Sequence, residues 1–196
     1  RDRTVSRGLG DVYKRQGKPV IRHVVDTVLE AGFKDIVVVL GYDEQAVSAC
    51  LEGLPVRFVK NEAFRSGQAS SVSAGIAALD NNVSDVMVVL GDMPLLSAAL
   101  LNNLHHHHMR NPQHEQMISL PVCLKDRERQ VGPPVIWGRQ FFPDLQALTG
   151  DQGGRQIWSD HPAIINQMDV EDATLFLDTD TAEALRRAEV LLLARN

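Results

Sequence analysis

The sequence predicts an α/β protein built on a doubly wound, mostly parallel sheet with helices on both faces. Three observations lead there. Short apolar, β-branched runs at Ile36–Leu40, Val56–Val59 and Val86–Leu90 read as buried strands. Between them lie stretches with helical apolar spacing, so helices and strands alternate along the chain. No repeat, linker or low-complexity segment divides the chain of 196 residues. The expected organisation is an arm over residues 1–16 and a single domain over 17–196.

Composition narrows the partners. A net charge of −5 gives no reason to expect nucleic acid, although a local phosphate site is compatible with it. The two cysteines, Cys50 and Cys123, lie far apart within apolar segments, which argues against a disulfide framework and for a reducing compartment. No apolar run approaches membrane-spanning length, and the N-terminus is charged rather than signal-like. The expected location is the cytoplasm, with no membrane partner.

Arg1 to Gln16 mixes basic residues with Asp2 and Asp11 and shows neither apolar period, so a polar, poorly ordered arm is expected. Pro19 then suits a helix start, and Val20, Ile21, Val24, Val25, Val28 and Leu29 form an apolar stripe that Gly32 ends. The strand at Ile36–Leu40, a helix over Asp43–Leu51 and the strand at Val56–Val59 follow. Gly67-Gln68-Ala69-Ser70-Ser71 enters a helix of small residues. Free N–H groups beside hydroxyls and an amide there suit a phosphate or a nucleobase edge; an N-capped, closely packed helix explains the same text.

The central strand Val86–Leu90 leads into Gly91-Asp92-Met93-Pro94. The glycine permits a turn, the proline bars immediate helix, and Asp92 stands at the strand's carboxyl end, the edge where open α/β sheets bind ligands. A carboxylate there suits a hard cation such as magnesium, completed by phosphate and water. A helix over Ser97–Met109 carries His105 to His108, which reads as a solvated helix end rather than a metal site. Strands are expected at Met117–Val122, Val135–Trp137, Ile164–Met168 and Thr174–Leu177, with a charged tip at Lys125–Gln130. Phe141, Phe142, Leu145 and Leu148 read as the core face of a helix. Gly150-Asp151-Gln152-Gly153-Gly154-Arg155 opens another, offering amides and a guanidinium to an anion. Asp180 and Glu183 form a capping-box pattern before the last helix, and the same aspartate could also hold metal.

Taken in order, Gly17-Lys18-Pro19-Val20-Ile21-Arg22-His23-Val24-Val25-Asp26, Gly67-Gln68-Ala69-Ser70-Ser71, Leu90-Gly91-Asp92-Met93-Pro94 and Asp178-Thr179-Asp180-Thr181 resemble the molybdenum cofactor cytidylyltransferase branch of the nucleotidyltransferase superfamily. The resemblance implies a Rossmann-like nucleotidyltransferase sandwich that joins CMP from CTP to the terminal phosphate of molybdopterin and releases pyrophosphate. It implies Mg²⁺ held by Asp92 with Asp180 as second ligand, both catalytic. Gln68, Ser70, Ser71 and Gly91 would lie at the nucleotide with Asp92, and Gly132, Gly153, Gly154 and Arg155 at the pterin acceptor. A molybdenum enzyme receiving the product is a further implied partner. GTP as donor, another phosphorylated acceptor, or a non-catalytic carrier of the cofactor are the competing readings.

The departures from that pattern are specific. Such proteins open with a strand and a Leu-Ala-Ala-Gly-x-Ser-x-Arg-Met-Gly loop that wraps the triphosphate; residues 1–16 carry neither. The expected consequence is an exposed edge beside Ile36–Leu40. Pro133 stands where the family has a polar residue, and Ala182 where it has proline.

Overall fold

The computed structural model describes residues 14–15, 18–125, 128–150, 154–160, 162–177, 179 and 181–194. Two-residue strands β1 (Lys14–Arg15) and β2 (Lys18–Pro19) pair antiparallel. The rest of residues 1–17, to which the expected arm belongs, lies outside the described residues.

Helix α1 (Val20–Glu30) buries Val20, Ile21, Val24 and Val25, the stripe its spacing predicts. It stops at Gly32, whose φ of 88° is the left-handed turn glycine adopts without steric cost. Asp26 fastens its outer face through Lys18 Nζ at 2.5 Å and Arg22 Nε at 3.2 Å. Strands β3 (Val37–Leu40) and β4 (Arg57–Lys60) pair parallel around helix α2 (Glu44–Cys50). Ile21 and Val25 of α1 share one apolar cluster with Val38, Leu40, Val47 and Leu51, which closes this first layer. Cys50 is a free thiol here, as is the buried Cys123.

Helix α3 (Gln68–Ala77) leads to β5 (Asp85–Val88), and α4 (Ala98–Met109) follows. Ser97 caps α4 by accepting from the Leu100 N–H at 3.2 Å. Strands β6 (Ile118–Lys125), β7 (Glu128–Val131) and β8 (Val135–Gly138) come next, then helices α5 (Phe142–Ala147) and α6 (Arg155–Asp160), strand β9 (Ile165–Val170) and helix α7 (Ala182–Ala194). In the larger sheet the order is β5-β8-β6-β7, with β9 on β6. Its core joins Ile76, Ile118, Leu120, Val122, Val135, Trp137, Phe141 and Leu145.

Several local expectations change. The sheet is mixed: β3–β4 and β6–β9 are parallel, but β8 runs antiparallel to both β5 and β6. A hairpin through β7 and the Pro133-Pro134 turn returns the chain beside its own preceding strand, which only an antiparallel partner can do. Strand β5 ends at Val88, leaving Val89 and Leu90 outside the ladder, and its four residues are half-buried rather than enclosed. The reason is position: among the described residues β5 pairs with β8 alone, and β3 with β4 alone. Thr174–Leu177 is not a strand. Asp172 Oδ1 accepts from the Thr174 N–H at 2.9 Å, and this side-chain bond starts a 3₁₀ turn over Ala173–Phe176. Helix α7 starts at a hydroxyl cap one residue past the expected one: Thr181 Oγ1 accepts from the Ala184 N–H at 3.0 Å. The capping-box aspartate, Asp180, lies outside the described residues.

Candidate functional site at the carboxyl edge

Two glycine turns and the start of α1 meet at one edge. Gly41 directly follows β3, and Gly91 follows β5 after Val89 and Leu90. A Cβ on Gly91 would lie 2.7 Å from Ile21 Cδ1, and Ile21 belongs to the cluster that holds Leu40. The turn carrying Asp92 therefore packs on the first turn of α1, beside the end of β3. Asp92 is half-buried and its Oδ1 atom is enclosed. Met93 and Leu96 anchor the turn in a third apolar cluster with Leu100 and Leu175.

The distant segment before α7 comes to the same turn. Buried Thr179 donates its hydroxyl to the Asp92 backbone carbonyl at 3.0 Å. Leu175 packs against Met93, and Phe176 Cδ1 would lie 3.6 Å from a Cβ on Gly132. One patch thus gathers the Asp92 turn, the Gly132 turn, Leu175, Phe176 and Thr179. Asp180 follows Thr179 directly but lies, like Gly153, outside the described residues. A carboxylate oxygen on a half-exposed turn is the hard donor magnesium or manganese takes, so Asp92 fits such an ion.

The serine loop is built differently from a bare helix start. Asn61, buried just beyond β4, donates its Nδ2 to Ser70 Oγ at 2.8 Å and to Ser71 Oγ at 3.0 Å. Its Oδ1 accepts from the Ala63 N–H at 3.0 Å. Ser70 Oγ in turn reaches the carbonyls of Gly67 at 2.8 Å and Ala63 at 3.0 Å. Gln68, at the first position of α3, is exposed. A cleft of about 580 Å³ borders this node, lined by Gly41, Lys60, Asn61, Phe64 and Arg65 among others. Asn61 was not legible as a site residue; a lone asparagine ending a strand carries no pattern. Asn61→Ala is expected to cost about 2 kcal/mol, three bonds at one buried amide offset by partial rescue from water. The check is a thermal melt, where that loss lowers Tm by about 4–8 °C.

The expected acceptor residues do not all converge. A Cβ on Gly154 would meet Trp137 Cζ2 at 2.2 Å, so this glycine lets α6 approach the Trp137 ring, which stacks on Trp158 at 5.8 Å. Arg155 is exposed and lines a separate cleft of about 280 Å³ with Arg129, Trp158 and Gln167. Gly150 reaches the serine loop instead, its carbonyl accepting from the Ala69 N–H at 3.1 Å.

A second polar cluster sits at the other end of β5. His108 is fully buried, so the solvated helix end expected for the histidine run fails at this position, while His106 is exposed. Its Nε2 lies 2.9 Å from Asp85 Oδ1, and His114 Nδ1 lies 3.0 Å from Asp85 Oδ2. Burial alone would raise the Asp85 carboxyl; bonds from Ser84, His108 and His114 hold it below the usual range instead. Burial pushes the His108 imidazole down, against the raising influence of Asp85. The signal was available: His108 continues the buried spacing of Leu101 and Leu104 along α4.

Parallel β–α units, glycine turns at strand ends and a carboxylate on the carboxyl edge define a Rossmann-like α/β sandwich whose ligand edge lies at the strand ends. The sequence profile of the MobA-like NTP transferase domain matches residues 11–165, and the chain belongs to that family; it is a transferase enzyme of the nucleotidyltransferase class. Nicotine blue oxidoreductase of Paenarthrobacter nicotinovorans is 28% identical over 184 residues, covering 93% of this chain and 89% of the relative. The bifunctional protein GlmU of Syntrophomonas wolfei is 33% identical over 105 residues; the match spans 53% of this chain and only 23% of that protein. Among solved structures, Rv0371c of Mycobacterium tuberculosis H37Rv superposes with a TM-score of 0.75 at 23% identity, covering 95% of this chain and 92% of the other. The same protein has been crystallised with manganese. CMP:2-keto-3-deoxy-manno-octonic acid synthetase in complex with CTP gives a TM-score of 0.74 at 12% identity, covering 95% and 92%. Among the described residues no helix is long and apolar enough to cross a membrane.

Proposed function

We propose that this chain transfers a cytidylyl group from CTP to the terminal phosphate of molybdopterin, in the cytoplasm, with release of pyrophosphate. An acceptor phosphate oxygen forms a bond to the α-phosphorus, and the bond to the pyrophosphate leaving group breaks. Such an in-line displacement needs positioning and charge neutralisation more than a covalent nucleophile. The observation that supports the reading is the Thr179 hydroxyl on the Asp92 carbonyl, which holds Thr179 at the Asp92 turn. Asp92 and Asp180 would hold Mg²⁺, whose bound charge offsets that of the phosphates. Gln68, Ser70, Ser71 and Gly91 would position the nucleotide, with Asn61 fixing the two hydroxyls. The Gly132 turn, through Phe176, is the part of the acceptor assignment with geometric support; Gly153, Gly154 and Arg155 rest on the sequence resemblance. The division into an arm over residues 1–16 and one catalytic domain belongs to the same proposal.

The test is pyrophosphate release with molybdopterin, Mg²⁺ and either CTP or GTP. The chain runs beside a variant whose first sixteen residues are replaced by the strand and Gly-rich loop of the family. Turnover with CTP by the replaced variant supports the proposal; preference for GTP reassigns the donor. Pterin binding without turnover in either chain identifies a carrier, to a molybdenum enzyme as the recipient. Because one relative bears the name nicotine blue oxidoreductase, a parallel assay for redox turnover of nicotine blue tests that reading directly.

A further inference from the structure

The Asp85 cluster lies at the amino end of β5, remote from the Asp92 turn, and nucleotide transfer makes no use of it. Three elements supply it: β5 gives Asp85, the last turn of α4 gives His108, and the short turn His114–Gln116 gives His114. Their ligating atoms all lie within 4.8 Å of one another. The two contacts of 2.9 Å and 3.0 Å to the carboxylate are close to the separation of about 3.3 Å between neighbours in a tetrahedral site with bonds of about 2.0 Å.

The surroundings are those of a held ligand set. His108 Nδ1, the ring nitrogen facing away from Asp85, lies 2.7 Å from Ser119 Oγ on β6. Asn166 of β9 donates to that same oxygen at 3.1 Å. An outer partner of this kind fixes the tautomer of a metal-bound imidazole. Ser84 Oγ donates to Asp85 Oδ2 at 2.6 Å. Arg139 clamps the turn before β5, donating from its backbone N–H to Ser84 O at 2.7 Å and from Nη1 to Val83 O at 2.8 Å. Solvent reaches the cluster from one side: His108 is fully enclosed, whereas the side chains of His114 and Asp85 remain 20% and 12% exposed. A water completing the coordination of a bound ion would enter from that side.

We propose that Asp85, His108 and His114 form a second divalent-metal site, of the zinc class, which ties the end of α4 and the 114–116 turn to β5. Two imidazoles and one carboxylate are a borderline-soft set that favours zinc over magnesium. The ion would be structural, and its binding does not depend on the proposed transferase reaction.

The experiment titrates the metal-stripped full chain with Zn²⁺ against a chromophoric chelator, and with Co²⁺ while recording the visible spectrum. One equivalent of Zn²⁺, an intense four-coordinate Co²⁺ band and a raised Tm are expected. His114→Gln, at the exposed side of the cluster, should weaken zinc at least about 100-fold and abolish the Tm shift, with the fold retained by circular dichroism. Ser119→Ala should weaken it about 10-fold through the His108 tautomer. The His105→Gln/His106→Gln variant removes neighbouring histidines of the run and should keep the equivalent. Absence of stoichiometric zinc overturns the proposal, leaving a hydrogen-bonded network. So does zinc that His114→Gln binds unchanged, or that the His105→Gln/His106→Gln variant loses.

Discussion

Under the proposed cytidylyl transfer to molybdopterin with Asp92 as a metal ligand, Asp92→Asn is expected to lower turnover about 10³-fold, roughly 4 kcal/mol of transition-state stabilisation, while leaving acceptor binding nearly unchanged. The amide has the shape of the carboxylate but no charge with which to hold a divalent cation. It also keeps the backbone carbonyl that receives the Thr179 hydroxyl, so the segment before α7 should stay docked. The loss should therefore fall on kcat rather than on acceptor affinity, the signature of an interaction needed in the transition state. Pyrophosphate release at saturating substrates, with acceptor binding measured alongside, checks it. Undiminished turnover in the variant would remove Asp92 from the metal site.

Gly138→Ala should have the largest effect on stability. A Cβ there would lie 2.3 Å from the Glu115 carbonyl oxygen and 2.5 Å from that of His114. Backbone cannot swing aside as a side chain does, so β8 and the 114–116 turn must separate. The expected cost is about 3 kcal/mol, a Tm lower by about 6–12 °C. The strain is purely steric, since Gly138 has an ordinary φ of −69°. Gly91→Ala provides the contrast: its close neighbour is Ile21 Cδ1, the far end of a flexible side chain, and the cost should stay near 1 kcal/mol. Parallel thermal melts of the two variants decide the point. Equal shifts would mean that the 114–116 turn is not rigidly packed.

The elements were legible because local periodicity reports burial of a face. Val20, Ile21, Val24 and Val25 announced α1. Strand ends moved by a residue or two, as at Val88, because ladder length depends on a neighbour that the strand's own residues do not encode. The misread stretch at Thr174–Leu177 has strand-like composition, and a single side-chain bond from Asp172 outweighed it. Asp92 was legible by its place after a strand. Asn61 and Thr179 were not, since each matters through a partner nine or more positions away.

The sequence by itself determined the α/β alternation, the glycine turns, the carboxylate after β5 and a resemblance in motif order that the matching family profile bears out at the level of NTP transferase. Those are properties of neighbouring residues, and short-range sterics and burial suffice to settle them. Only the tertiary structure decided that β8 enters antiparallel, that Thr179 docks on the Asp92 turn and that His108 turns inward to Asp85 and Ser119. Each joins residues far apart in the chain. Which distant polar groups meet is set by how the apolar faces pack, and a buried imidazole or hydroxyl takes whatever partner that packing brings within reach.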